Sequence, residues 1–192
     1  MEGGFFTGQL LIAMPGISDP RFERALILIC AHDREHAMGI AVNDPLEDLT
    51  VPSLLEKLGI RSTISLPPDL VLAGGPVEGE RGFVLHSTDY LGEHSLAVGD
   101  GVALSATREV LEAMAGHNTA GHNTAPARSL LALGYAGWGA GQLENEIKQN
   151  VWLSCDADAD LIFGRDYGRK WTRALAKLGV DPKRLSAVAG RA

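Results

Sequence analysis

Leu133-Gly134-Tyr135-Ala136-Gly137-Trp138-Gly139-Ala140-Gly141-Gln142-Leu143 is an apolar, strand-like run that dissolves into glycines separated by single residues, holds one tryptophan, and passes into a helical pattern. Glycine has no Cβ, so such a stretch suits a strand-to-helix corner where backbones pass close to one another. A dinucleotide fingerprint begun at Gly137 would need its third glycine where Gln142 stands. Glu144 and Glu146 follow in the helix's first turns and would repel a phosphate. The stretch therefore reads as architecture, with Trp138 and Gln142 as candidates to line a polar pocket beside it.

Outward from this corner the chain alternates irregularly between strand and helix patterns. Toward the N-terminus, residues 8–14 read as a strand stopped by Pro15-Gly16, and residues 19–24 as a turn or a single helical turn. Residues 25–30 form a continuous apolar run, as in a strand buried on both faces. A polar connection then leads into a strand over residues 38–43, so the two are expected to form a hairpin. Residues 52–58 read as a short helix capped by Thr50 and stopped by Gly59. Strands are expected at 70–73, 82–86, 95–98, 102–104, 129–136, 151–154 and 161–163. Helices are expected at 107–115, 142–149 and 170–178, with a last short one after Asp181-Pro182. Glu144 and Lys148 have the spacing of a helical ion pair. Hairpin-connected early strands argue for a mixed sheet, and no linker or composition shift divides residues 1–192, so one domain is expected. The tandem pentad Gly116-His117-Asn118-Thr119-Ala120 and Gly121-His122-Asn123-Thr124-Ala125 reads as a surface loop lengthened by duplication.

Charge and composition exclude several classes. The formal net charge is −7, which opposes both non-specific nucleic-acid binding and docking on anionic membranes. The longest apolar run, residues 25–31, is far short of the roughly 20 residues needed to span a bilayer. Two cysteines, Cys30 and Cys155, do not make a secreted disulfide scaffold, and Met1-Glu2-Gly3-Gly4 lacks the basic start of a signal peptide. A cytoplasmic location is expected, with no membrane partner.

Chemistry-bearing residues are present without a complete catalytic or metal set, and neither a cofactor nor a metal is expected. His32-Asp33-Arg34-Glu35-His36 matches the inverted zinc-protease pattern, but it falls between two strand-like runs where only a turn fits. Asp156, Asp158 and Asp160 imitate the start of a calcium loop, yet Leu161 and Tyr167 occupy the positions that need Gly and Glu. Cys30 and His32 are two apart on or just beyond a strand, and simple alternation would put them on one face. An imidazolium there would lower the thiol pKa, making Cys30 a redox candidate. Asn43, Gly74, Gly75, Arg81 and His86 cluster at glycine-rich strand ends and are further ligand-pocket candidates.

Several segments together resemble the AlgH/YqgE family of bacterial proteins. They are residues 8–16, Asp19-Pro20-Arg21-Phe22, Cys30-Ala31-His32, Ala37-Met38-Gly39, Gly74-Gly75-Pro76-Val77, residues 81–86, Leu104-Ser105-Ala106-Thr107, residues 134–144 and residues 171–178. The resemblance covers nearly the whole chain. It implies an α/β domain of the α+β type, with a mixed, strongly curved sheet or partial barrel surrounded by helices. It implies no established reaction. Family members carry the label of transcriptional regulators, and some are discussed as redox-responsive through the cysteine that aligns with Cys30. The expected function is that of a cytoplasmic regulatory or ligand-binding protein without conventional catalysis, its partner an unknown small molecule or protein. The alternatives are a thiol-based redox sensor or thiol enzyme using Cys30, and a DNA-binding transcriptional regulator. The acidic charge and the lack of a helix-turn-helix signal give DNA binding little support.

Overall fold

The computed structural model describes residues 5–99, 101–117 and 125–185. Ten strands and five α-helices are found among them. The strands are β1 (Gln9–Ala13), β2 (Leu26–His32), β3 (His36–Ala41), β4 (Pro45–Thr50), β5 (Leu70–Ala73), β6 (Val77–Ser87), β7 (Leu96–Gly99), β8 (Val102–Ser105), β9 (Ser129–Gly139) and β10 (Trp152–Asp156). The helices are α1 (Val51–Lys57), α2 (Arg108–Met114), α3 (Gln142–Lys148), α4 (Ala159–Phe163) and α5 (Tyr167–Lys177). The main path of the sheet runs β10-β1-β2-β3-β9-β6-β8-β7. All its pairings are antiparallel; the parallel β5–β9 pair alongside makes the sheet mixed.

The apolar runs explain the layering. Successive side chains of a strand face opposite ways, so a strand with no polar alternation is buried on both sides. Leu10, Ile12, Leu26 and Leu28 face the inside of a curled half-barrel, where they meet Val98 of β7 and the α4–α5 pair. Leu11, Ala13, Ile27 and Ile29 face outward, beneath Leu143 of α3. Farther round the sheet, Val71, Val84 and Leu131 face outward onto α1 and α2. Each fully buried Leu or Ile contributes roughly 1.5–3 kcal/mol of transfer free energy, and this double-sided burial is the main term holding the curl. Trp171 pins α5 to β1 by donating its indole N–H to the Ala13 carbonyl at 2.9 Å.

Several local expectations are corrected. Residues 161–163 are helical, not extended. Asp158 accepts from the backbone N–H groups of Asp160 and Leu161, and this cap starts α4. Strand β4 was absent from the sequence reading; its proline, its two acids and its broken pairing with β5 hide the pattern. Helix α5 begins three residues earlier than its apolar stripe suggested. Glu144 turns to His32, 3.1 Å away, instead of to Lys148. The tandem pentad lies largely outside the described residues.

Candidate functional site

The structure distributes the sequence-derived candidates over four places. The first is the β2–β3 hairpin. The pairing shifts between Ile29↔Gly39 and Ala31↔Met38, so β2 carries one extra residue at Cys30. This β-bulge breaks strand alternation. Cys30 joins the inner core, whereas His32 pairs across the ladder with Ala37 of the outer one. The expected shared face is therefore lost. Cys30 is buried, and burial pushes its thiol pKa up to about 12. His32 stacks on Phe6 and accepts the Phe6 backbone N–H at Nδ1 over 2.9 Å. Its Nε2 then carries the proton, donated to Glu144 Oε1 at 3.1 Å. His36 turns instead to Asp33, whose carboxylate also caps the hairpin turn. The two histidines of the protease-like pattern thus serve separate partners.

The second place is the glycine corner between β9 and α3. The carboxylate of Glu146 accepts the indole N–H groups of both Trp138 and Trp152 on one oxygen, at 2.9 and 2.8 Å. Gln142 donates to the other oxygen at 2.9 Å and accepts from the Gly139 N–H at 3.0 Å. The glutamates that would repel a phosphate are engaged in holding this corner together. Gly74, Gly75 and Gly134 form a backbone crossing between β5 and β9. A Cβ on Gly134, which has φ +75°, would run into the carbonyl of Gly75.

The third place is the buried end of β6. His86 Nδ1 donates to the Ser87 carbonyl at 3.0 Å, so Nε2 is left to accept from the Ser105 hydroxyl at 2.8 Å. Ser105 in turn lies 2.8 Å from the Ser95 hydroxyl. His86 and Ser105 are both buried, and burial lowers the His86 pKa. This is an internal polar chain. Arg81 stands apart from it, exposed, with Nη1 3.2 Å from Glu78 and its guanidinium over the Phe83 ring.

The fourth place is a cleft of about 660 Å³ between the Pro20–Phe22 turn, the β3 and β5 ends and the start of α5. Asn43 and Gly75 are the sequence candidates that line it. Asn43 Oδ1 accepts the Leu26 N–H at 2.9 Å, and its Nδ2 donates to the Arg24 carbonyl at 2.8 Å. Asn43 thereby clasps the backbone on both sides of Ala25. Arg24 has φ +54°, a left-handed conformation uncommon for a non-glycine residue. Such conformations cost roughly 1–3 kcal/mol and persist only where neighbours over-determine them. The Arg24 guanidinium lies 5.1 Å over the Trp171 ring and has no carboxylate partner among the described residues. Arg21, by contrast, is paired with Asp19 at 2.7 Å. Burial pushes the Asp44 carboxyl up and the Tyr167 phenol up.

Beneath the cleft lies Lys170, fully buried, donating to the carbonyls of Val42 at 2.8 Å and Ile162 at 2.5 Å. Burial pulls its amine down to about 7. Arg24, Asp44, Tyr167, Lys170 and Trp171 were all missed by sequence reasoning. The only advance signal was a lysine beside Trp171 on the apolar face of a helix. Asp158 caps α4, Asp160 pairs with Arg128 and Asp156 accepts from Gln9, so the calcium-like triplet disperses. Among the described residues, no three acidic, histidine or cysteine side chains converge as a metal centre would require. No helix there is long and apolar enough to cross a membrane.

Comparison with known proteins follows the fold and the glycine corner. Residues 10–183 match the model of an AlgH-like family. A UPF0301 protein of Caulobacter vibrioides is 60% identical over 192 residues, covering 100% of this chain and 96% of its relative. One from Bradyrhizobium diazoefficiens is 52% identical, covering 100% of this chain and 90% of its own. The solution structure of the AlgH protein from Pseudomonas aeruginosa superposes with a TM-score of 0.74 at 36% identity, covering 100% and 98% of the two chains. A Corynebacterium diphtheriae protein shares the fold, with a TM-score of 0.70 at 16% identity over 100% and 95%. The ordered motifs, the curled sheet and these matches agree, and the chain belongs to the AlgH-like family.

Proposed function

We propose that this protein is a cytoplasmic small-molecule-binding protein of regulatory type, and that the cleft floored by Trp171 is its site. The observation that carries this reading is the clasp of Asn43 on the backbone of Arg24. It holds a strained residue whose guanidinium, without a carboxylate partner among the described residues, lines a cavity of about 660 Å³. Ligand pockets commonly measure roughly 300–1,000 Å³ and combine apolar walls with a few fixed polar groups. Here Tyr167 and Trp171 are the walls, and Arg24 and Asn43 the polar groups. The burial of Cys30 favours this reading over thiol chemistry.

The test is a titration with a panel of neutral and charged metabolites, followed by NMR at the Trp171 indole and the Gly75 and Gly168 amides. Binding compounds are expected to shift these resonances together. Asn43→Ala, which frees Arg24, is expected to remove the response, whereas Arg81→Ala, away from the cleft, leaves it intact. A panel that moves none of the three resonances would refute the site.

A further inference from the structure

We infer that the molecule taken by this cleft is a monocarboxylate with a flat apolar body, its carboxylate received by Arg24. The inference rests on the cleft being the ligand site and adds the ligand's chemical class.

Charge selects the class. The cleft's cations are Arg21 and Arg24, and its acids are Glu23 and Asp44. Arg21 is already bound by Asp19 through both of its carboxylate oxygens. Asp44, whose carboxyl pKa is raised by burial, makes no ion pair with Arg24. Glu23 is exposed and keeps its water. One guanidinium is therefore left to meet a ligand. Its planar fork of N–H donors fits a carboxylate with two parallel hydrogen bonds. A dianion such as a phosphate monoester would bring a second negative charge toward Glu23, with no further unpaired cation lining the cleft among the described residues to receive it.

Shape selects the rest. The Arg24 guanidinium lies over the Trp171 ring, 5.1 Å from its centroid. Beside it, Tyr167 and Pro76 supply apolar lining. A flat apolar group attached to the carboxylate lies against these while the anion meets Arg24. Arg24 and Trp171 also line a second cavity of about 490 Å³, together with Pro15, Ile17 and Leu185.

The test uses 3-phenylpropionate and its uncharged amide as probes, titrated into the full chain with the same three resonances observed. The acid is expected to bind at least about tenfold more tightly than the amide, as the loss of one charge-assisted hydrogen-bonded pair implies. Arg24→Gln is expected to erase that preference without changing the melting temperature by more than a few degrees, and Arg24→Lys to restore part of it. Phenyl phosphate is expected to bind more weakly than the acid. Equal binding of acid and amide, a preference that survives Arg24→Gln, or tighter binding of phenyl phosphate would each overturn the monocarboxylate assignment while leaving the cleft as a site. Silence toward both the acid and the amide would also overturn it; the cleft itself falls only if the wider metabolite panel is silent too.

Discussion

Lys170 donates from Nζ to the carbonyl of Val42 over 2.8 Å, although 128 residues separate them in the chain. The same amine bonds the Ile162 carbonyl and lies 5.0 Å from the Tyr167 ring centroid. One side chain thus joins the end of β3, helix α4 and the start of α5.

Replacing Lys170 with Met keeps most of the volume but leaves two buried carbonyls without a donor. A loss of about 1–3 kcal/mol is expected, measured by urea unfolding. The pH dependence changes as well. The native amine is pulled down to about 7 by burial. Between that value and the ordinary lysine range, the unfolded chain binds a proton that the native chain does not. Stability therefore rises with pH through that window, and below about 7 the full penalty is present. His86 acts with the same sign lower on the scale. Its native pKa is lowered by burial, so stability falls as pH drops below the ordinary histidine value of about 6.5. Lys170→Met should flatten the upper slope and leave the lower one.

Glu146→Ala would strand two buried indole N–H groups at once, those of Trp138 and Trp152. Unpaired buried donors cost about 1–3 kcal/mol each, so the variant should lose several kcal/mol. Glu146→Gln retains one carbonyl oxygen and should lose less. Chemical denaturation followed by tryptophan fluorescence reads both; equal stability of the Ala variant and the parent would refute the shared-acceptor account.

The two glycines with similar backbone angles give a controlled pair. Gly134 has φ +75° and is walled by the carbonyls of Gly75 and Val77, whereas Gly141 has φ +69° and open space around it. Gly141→Ala should cost about 1–2 kcal/mol, the left-handed penalty alone. Gly134→Ala adds a clash with backbone that has nowhere to move, and should cost clearly more or prevent folding. Thermal unfolding of the two variants makes the comparison.

Native Cys30 should resist alkylation. Burial pushes its thiol to about 12, and the thiolate is the reactive form. Iodoacetamide labelling read by mass spectrometry should be slow in buffer and fast in denaturant. Labelling of Cys30 at the rate of a free thiol in buffer would restore the redox reading.

Most of the fold was legible because burial on both faces writes itself as uninterrupted apolar runs. Residues 25–30 and 129–136 announced strands in the middle of the sheet, and Thr50 announced α1 through its cap, which the structure completes with Ser53. What escaped reading turned on single side-chain contacts that outweigh the local pattern. Three apolar residues at 161–163 fit a strand or a helix equally, and only the Asp158 cap decides. The site was less legible than the fold. Asn43 and Gly75 were noticed for their residue types, but Arg24 matters through a backbone angle and the lack of a carboxylate partner among the described residues, neither of which has a sequence pattern. Arg81, chosen for its charge beside glycines, was satisfied locally by Glu78.

The extra residue at Cys30 gives the β2–β3 hairpin a parity. Ile29, opposite Gly39, and His32, opposite Ala37, face the same side although they stand three apart in β2. Removing a single residue there would restore simple alternation while leaving His32 opposite Ala37 and still facing Glu144. A one-residue deletion at the bulge should therefore leave the outer contacts of the hairpin tip in place.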